Sequence, residues 1–279
     1  MKEADLHIHT YYSDSTASPL EVIEQAHHCG LGCIAITDHD TIDGIKPTIE
    51  AAKKFDIEVI PGIELSTDFH GKDIHVLGYF FDYENEGLID YLISIQNSRV
   101  ERMEKMIKKL QTLGISDITL EEVCALVKSK SVGRPHLAAV LMNKGKVSSI
   151  RQAFDRYLAE GATAYVPKFK QTPHEAIAFI RKIGGIAVLA HPMATQVDEL
   201  IAGFVESGLG GLEVYYPNAS EQTIQFYYRL AKKYQLAITG GSDAHGEAKK
   251  NTCIGKVKIP YSLIENLKES LKSQPPIKN

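Results

Sequence analysis

The sequence predicts an α/β protein, a barrel or near-barrel of βα-like units with a helical insertion domain. Three observations point there. Short apolar runs alternate with helical patterns, the alternation yields seven units, and one long stretch interrupts it without a strand. Strands are expected near residues 4–8, 33–37, 58–63, 73–80, 186–190, 211–215 and 236–240. Seven units fall one short of the common eight.

Helix starts are signposted by capping chemistry. Ser18-Pro19-Leu20-Glu21 combines a capping box with proline at the first helical position, and the helix it opens should stop at Gly30. Thr119-Leu120-Glu121-Glu122 and Thr172-Pro173-His174-Glu175 repeat that logic. Between about residues 88 and 165 an amphipathic stretch (88–113) is followed by helical segments near 120–128, 134–143 and 149–158. The chain is therefore divided into a first barrel part (1–87), a helical insert (88–165) and a second barrel part (166–279). The insert is read as a cap over the site, with scaffold decoration as the plainer alternative.

Composition bounds the function. The 279 residues are 44% apolar and 24% charged with a net charge of −4, so no basic surplus advertises an extended nucleic-acid groove. Cys29, Cys33, Cys124 and Cys253 lack a paired short spacing and read as reduced, mostly buried thiols of a cytoplasmic protein. No stretch reaches the ~18 apolar residues of a membrane span, and no signal-peptide core opens the chain. No obligate protein partner is evident.

The eleven histidines are the anomaly. His7 and His9 alternate along the first strand and leave the same face, and Asp14 follows in the loop. The second strand runs into Asp38-His39-Asp40, the third ends in Pro61-Gly62-Ile63-Glu64, and His75 sits on the fourth. Later strands deliver His191-Pro192 and Ser242-Asp243-Ala244-His245. Singly, each is weak: a lone His-x-His is more often incidental, and His75 alone could be a satisfied core residue. Folding does not account for their recurrence, because buried strands favour apolar side chains and leave polar groups unpaired at a cost. The C-terminal ends of parallel strands are where sites form. Imidazole with carboxylate suits Mn, Zn or Fe better than Ca or Mg. His27, His28, His70 and His174 lie on helices or in a turn and take the plain reading.

With Leu6-His7-Ile8-His9-Thr10, Ile36-Thr37-Asp38-His39-Asp40-Thr41, Pro61-Gly62-Ile63-Glu64, His75-Val76-Leu77-Gly78-Tyr79, Ala190-His191-Pro192 and Gly241-Ser242-Asp243-Ala244-His245, the chain resembles the PHP (polymerase and histidinol phosphatase) phosphoesterases. It departs from many members in having Asp14 where they have His. The resemblance implies a distorted seven-stranded (β/α)7 barrel and a trinuclear metal centre. His7, His9, Glu64 and Asp243 would hold the first ion. Asp14, His39 and His245 would hold the second, and a bridging Glu64 with His75 and His191 the third. Three divalent ions, Mn foremost with Zn or Fe as alternatives, would activate a water for in-line attack on phosphorus. His191 or His245 is otherwise a candidate general acid.

The closest likeness is to a subgroup with a helical insert that hydrolyses nucleoside 3′,5′-bisphosphates and short 5′-phosphorylated RNA ends. Ser131-Val132-Gly133-Arg134-Pro135-His136 and Tyr165-Val166-Pro167-Lys168 carry it, and it implies that Arg134, Lys168 and His136 hold substrate phosphate. The plain reading makes Arg134 a surface residue at a helix start and Lys168 a solvated side chain. Three rivals remain: a histidinol-phosphate or sugar-phosphate phosphatase of the same family, a proofreading 3′–5′ exonuclease, and a non-catalytic metal-binding or partner-docking module.

Overall fold

A computed structural model describes residues 2–129, 131–167, 171–249 and 252–274. The strands are β1 (Glu3–Ile8), β2 (Cys33–Ile36), β3 (Glu58–Phe69), β4 (Lys72–Tyr79), β5 (Ile186–Leu189), β6 (Gly211–Tyr215), β7 (Ala237–Gly240) and β8 (Ile259–Pro260). They form one sheet in the order β7-β6-β5-β4-β3-β2-β1-β8. The sheet nearly closes, because Ala244 just beyond β7 bridges Ile8 of β1 in parallel. That approach needs glycine at 241, where a Cβ would lie 2.3 Å from the His7 backbone nitrogen.

All seven expected strands form, but the seven-unit pattern needs two corrections. A two-residue eighth strand, β8, pairs antiparallel with β1. More importantly, β4 is antiparallel to both β3 and β5. β3 runs on to Phe69, and the chain reverses at His70 (φ 54°) and Gly71 (φ 85°) into β4, so no helix separates them. Apolar periodicity registers that a strand exists and is silent on its direction. The reversal puts the first half of β4, with His75, at the same end of the barrel as the C-terminal ends of its neighbours.

The helices are α1 (Pro19–His28), α2 (Ile45–Ala52), α3 (Glu86–Thr112), α4 (Leu120–Cys124), α5 (Arg134–Asn143), α6 (Ile150–Ala153), α7 (Pro173–Lys182), α8 (Pro192–Thr195), α9 (Ile201–Glu206), α10 (Glu221–Lys233) and α11 (Ser262–Lys272). Ser18, Thr119 and Thr172 form the capping boxes that the sequence announces. The segment read as a helix over 120–128 is helical only to Cys124, and 149–158 is α6 followed by a π-helical turn, Phe154–Leu158.

Side chains from most of the strands, including Leu6, Ala35, Ile60, Leu77, Tyr79 and Val188, share one buried cluster inside the barrel. Tyr79 Oη donates to Leu6 O at 2.8 Å, tying β4 to β1 across it. α3 to α6, between β4 and β5, share a separate cluster that includes Met106, Leu110, Val123, Leu137, Leu141 and Leu158, whereas α7 packs on the barrel through Ala176, Ile177 and Ile180. α3 joins the two bodies. Its 27 residues span about 40 Å at 1.5 Å per residue, with Leu88 and Leu92 on the barrel and Met103–Leu110 on the helical cluster. Of the cysteines only Cys33 is buried. Cys29 and Cys124 are partly exposed and Cys253 is exposed, which corrects the expectation of mostly buried thiols. No helix of the described residues is long and apolar enough to cross a membrane.

Candidate metal centre

Glu64 lies at the centre of five imidazoles. Its Oε2 is 3.2 Å from His7 Nε2, 3.2 Å from His9 Nε2 and 3.3 Å from His39 Nδ1. Its Oε1 is 2.8 Å from His75 Nδ1 and 3.1 Å from His191 Nε2. Asp243 Oδ1 sits 3.3 Å from His9 Nε2 and 3.4 Å from His245 Nδ1, and Asp14 Oδ1 lies 3.2 Å from His245 Nε2. Every residue expected as a metal ligand is therefore in one cluster. Three groups within it have donor atoms close enough to share an ion: His7, His9, Glu64 and Asp243; His9, Asp14, His39 and His245; and His39, Glu64 and His75.

The donors fit metal ions. His9 Nδ1 and Nε2, His39 Nδ1, His75 Nδ1, His191 Nδ1 and Asp14 Oδ1 are buried without a hydrogen-bond partner among the described residues. Most of them lie within ion-pair distance of an oppositely charged neighbour without a well-directed hydrogen bond, an arrangement of donors aimed at shared points as bound ions require. Burial alone would raise the Glu64 pKa, but His39, His7 and His75 and the hydrogen bond to His191 hold it well below its ordinary value. Asp14 is also held well below, against burial, by His245 and His39.

Neighbours outside the cluster aim the ligands. Glu213 Oε1 accepts from His7 Nδ1 at 2.9 Å, which turns Nε2 inward, and its Oε2 accepts from the His191 backbone N–H at 2.7 Å. Asp73 Oδ1 is 3.0 Å from His75 Nε2, and the Asp243 carbonyl is 2.8 Å from His245 Nδ1. Tyr216 Oη donates to Asp243 Oδ2 at 2.7 Å, and Lys249 Nζ donates to the same oxygen, leaving Oδ1 to face His7 and His9. A carboxylate or carbonyl on the far nitrogen fixes tautomer and orientation, as in known metal sites. The backbone pays part of the cost here: Asp40 (φ 49°), His191 (φ 28°) and Asp243 (φ 47°) all lie in the left-handed region.

Beside the cluster is a cavity of about 150 Å³ whose lining includes His39, His75, Arg99, Arg102 and Arg134. Arg134 is no surface residue: its Nη2 reaches Asp73 Oδ2 at 3.2 Å and its side chain is 21% exposed. Arg99 pairs with buried Asp40 and donates to Ser66 Oγ at 2.8 Å. Arg102 donates through Nε to Val166 O at 2.7 Å, while its buried Nη2 has no partner among the described residues. Burial, with Arg134 and Arg99 nearby, lowers the Arg102 pKa to about 10. His136 lines the cavity but is otherwise employed. Its Nδ1 accepts from Gly133 N–H at 3.0 Å and its Nε2 faces Ser13 O at 2.9 Å. Both nitrogens thus face backbone groups, and the phosphate-binding role expected for His136 stays a proposal. Lys168 lies outside the described residues.

Sequence reasoning missed Glu213, Tyr216, Arg99 and Arg102. Glu213 carried a signal, a lone carboxylate inside the apolar run Gly211-Leu212-Glu213-Val214-Tyr215. Arg99 and Arg102 carried one too, since a three-residue spacing puts both on one face of a helix.

An imidazole and carboxylate cluster at one end of a barrel, beside a guanidinium-lined cavity, defines a metal-dependent hydrolase of phosphoric esters. The chain belongs to the PHP domain family, whose model matches residues 5–241. It is 36% identical over 249 residues to the 5′-3′ exoribonuclease of Haemophilus influenzae, covering 88% of this chain and 90% of that one. It is 29% identical over 260 residues to the 3′,5′-nucleoside bisphosphate phosphatase of Chromobacterium violaceum, covering 91% of each. Its fold superposes with a TM-score of 0.87, at 29% identity and 96% coverage of both chains, on a crystal structure from Bifidobacterium adolescentis assigned as a metal-dependent phosphoesterase.

Proposed function

We propose that the protein removes the 3′-phosphate of nucleoside 3′,5′-bisphosphates and acts in the same way on short 5′-phosphorylated RNA ends. The observation that carries this reading is the arginine cavity adjoining the ligand cluster, room for a second phosphate beside the one that reacts. The exoribonuclease and bisphosphate phosphatase among the relatives support it. A histidinol-phosphate or sugar-phosphate phosphatase needs no such second anion site. The residues 88–165 are read as the cap, since α3 brings Arg99 and Arg102, and the start of α5 brings Arg134, to the cavity.

In this reading three divalent ions, Mn foremost, are held by His7, His9, Glu64 and Asp243; by Asp14, His39 and His245; and by Glu64, His75 and His191. When bound, they supply positive charge to the phosphoryl oxygens and ease deprotonation of an attacking water. The chain's own part is positioning. Arg134 and Arg102, with Lys168, hold the unreactive 5′-phosphate and so fix the 3′-phosphate over the cluster. Of His191 and His245, the one not engaged by an ion would donate a proton to the departing 3′-oxygen.

The test is kinetic. A charged hydrogen bond is worth roughly 1.5–3 kcal/mol, about one to two powers of ten. Arg134→Ala should lower turnover of a nucleoside 3′,5′-bisphosphate by about 10–100-fold and leave a simple aryl phosphate nearly unchanged. Equal losses on both substrates would place Arg134 on the reacting phosphate or in the fold.

A further inference from the structure

On the far side of Asp14 and His136 lies a second, larger cavity of about 640 Å³. Asp14, Pro135 and His136 line both cavities, so the two adjoin across these residues, with Asp14 a member of the ligand cluster. Their chemistry is opposite. The walls of the larger one include Leu126, Ala139, Met142 and Ile150. Leu126 and Met142 are 42% and 39% exposed, large apolar side chains left open to solvent next to the site. No lysine or arginine among the described residues lines this cavity, while two carboxylates, Asp14 and Glu247, do. The cavity therefore offers a phosphate no cationic side chain. Ser15, Thr16, Ser148 and Ser149 also line it; the Ser15, Thr16 and Ser149 hydroxyls accept from the backbone N–H groups of Ala17, Glu247 and Gln152 and keep their own proton and a lone pair for a ligand.

We infer that this cavity binds the nucleobase of the nucleotide on the 3′ side of the scissile phosphate. A base is flat, neutral and apolar on its faces, with hydrogen-bonding groups confined to its edge. It matches apolar walls with a hydroxyl rim, and rotatable hydroxyls accept any of the four bases. The inference deepens the proposed function and rests on it. With the 5′-phosphate in the arginine cavity and the scissile phosphate over the cluster, the nucleotide beyond that phosphate reaches the adjoining cavity across Asp14, Pro135 and His136. A nucleoside bisphosphate leaves the cavity empty, whereas an RNA end fills it, so the cavity favours an RNA end over a mononucleotide.

Three substrates test this in Mn²⁺: a nucleoside 3′,5′-bisphosphate, a 5′-phosphorylated dinucleotide, and the same dinucleotide with its second base removed. The intact dinucleotide should exceed the abasic one in kcat/KM by about tenfold, chiefly through KM, whichever base it carries. Met142→Glu, or Ala139→Leu should the first variant fold poorly, should lower the ratio of dinucleotide to bisphosphate kcat/KM by about the same factor. Calorimetry on the Mn²⁺-loaded protein with dinucleotides carrying a non-hydrolysable linkage gives a second readout, in which the intact dinucleotide binds more tightly than the abasic one. Equal rates on the intact and abasic dinucleotides, or an unchanged ratio in the variants, overturns this inference while the proposed function stands. No turnover of any of the three overturns both.

Discussion

Glu64 has one carboxylate and five imidazoles within 3.3 Å, so a substitution there unbalances the whole cluster. Gln keeps the shape but removes the charge and one oxygen, leaving several buried imidazoles without their shared counterion. Glu64→Gln should lower bound metal per chain and reduce phosphate release by about a hundredfold or more, beyond the range usual for outer-sphere changes. His70→Ala, at an exposed turn, should stay within about threefold of the parent. Comparable losses in the two variants, read by metal analysis and phosphate release, would show that Glu64 is not the hub. At this scale the sequence revealed most residues of the cluster, because a polar side chain closing an apolar run stands out. Glu213 escaped for the converse reason: inside a strand, one carboxylate resembles the solvated face of a sheet. The motif around His136 likewise does not disclose that both its ring nitrogens face backbone groups of Gly133 and Ser13.

Elements meet at the opposite end of the barrel through Glu58, the first residue of β3. Its carboxylate accepts from Lys2 Nζ at 3.0 Å, from Lys268 Nζ at 3.0 Å and from Tyr261 Oη, joining β3 to the start of β1 and to α11. Burial would raise its pKa, but the Tyr261, Lys2 and Lys268 hydrogen bonds outweigh it and bring it from 4.5 down to about 2. A group whose pKa is depressed on folding stabilises the fold above its unfolded pKa and loses that contribution as pH falls through the folded value. The stability difference between the parent and Glu58→Gln should thus be full at pH 7 and shrink between about 4.5 and about 2. Denaturant unfolding across that range measures it, and a pH-independent difference would assign Glu58 a packing role instead. Element identity was legible here, since the capping boxes and apolar runs are local. Direction was not. The β3–β4 hairpin is set by a turn at His70-Gly71, a pair with weak turn chemistry, and by pairing with β5 more than a hundred residues later.

The ligands come from both ends of the chain. His7, His9, Asp14, His39, Glu64 and His75 precede the helical stretch, and His191, Asp243 and His245 follow it. Two of the late ones sit where the sheet closes, as Ala244, between Asp243 and His245, bridges Ile8, between His7 and His9. Ions bound there would tie the seam of the barrel, so loading should affect stability as well as turnover. Without them, Asp14, Glu64 and Asp243 stand close together with only the surrounding imidazoles to balance them. Ligand present at a hundred times its dissociation constant stabilises by about 2.7 kcal/mol. For a chain of this size that corresponds to a rise of about 5 °C in melting temperature. Chelation should therefore abolish phosphate release and lower the melting temperature by at least about that much, and added Mn²⁺ should restore both. Parallel measurement of activity, metal content and melting temperature decides the matter. Full activity in a verified metal-free sample would rule out metal-dependent chemistry in this cluster. Recovery of activity with no change in melting temperature would leave the chemistry intact and remove the ions from the seam.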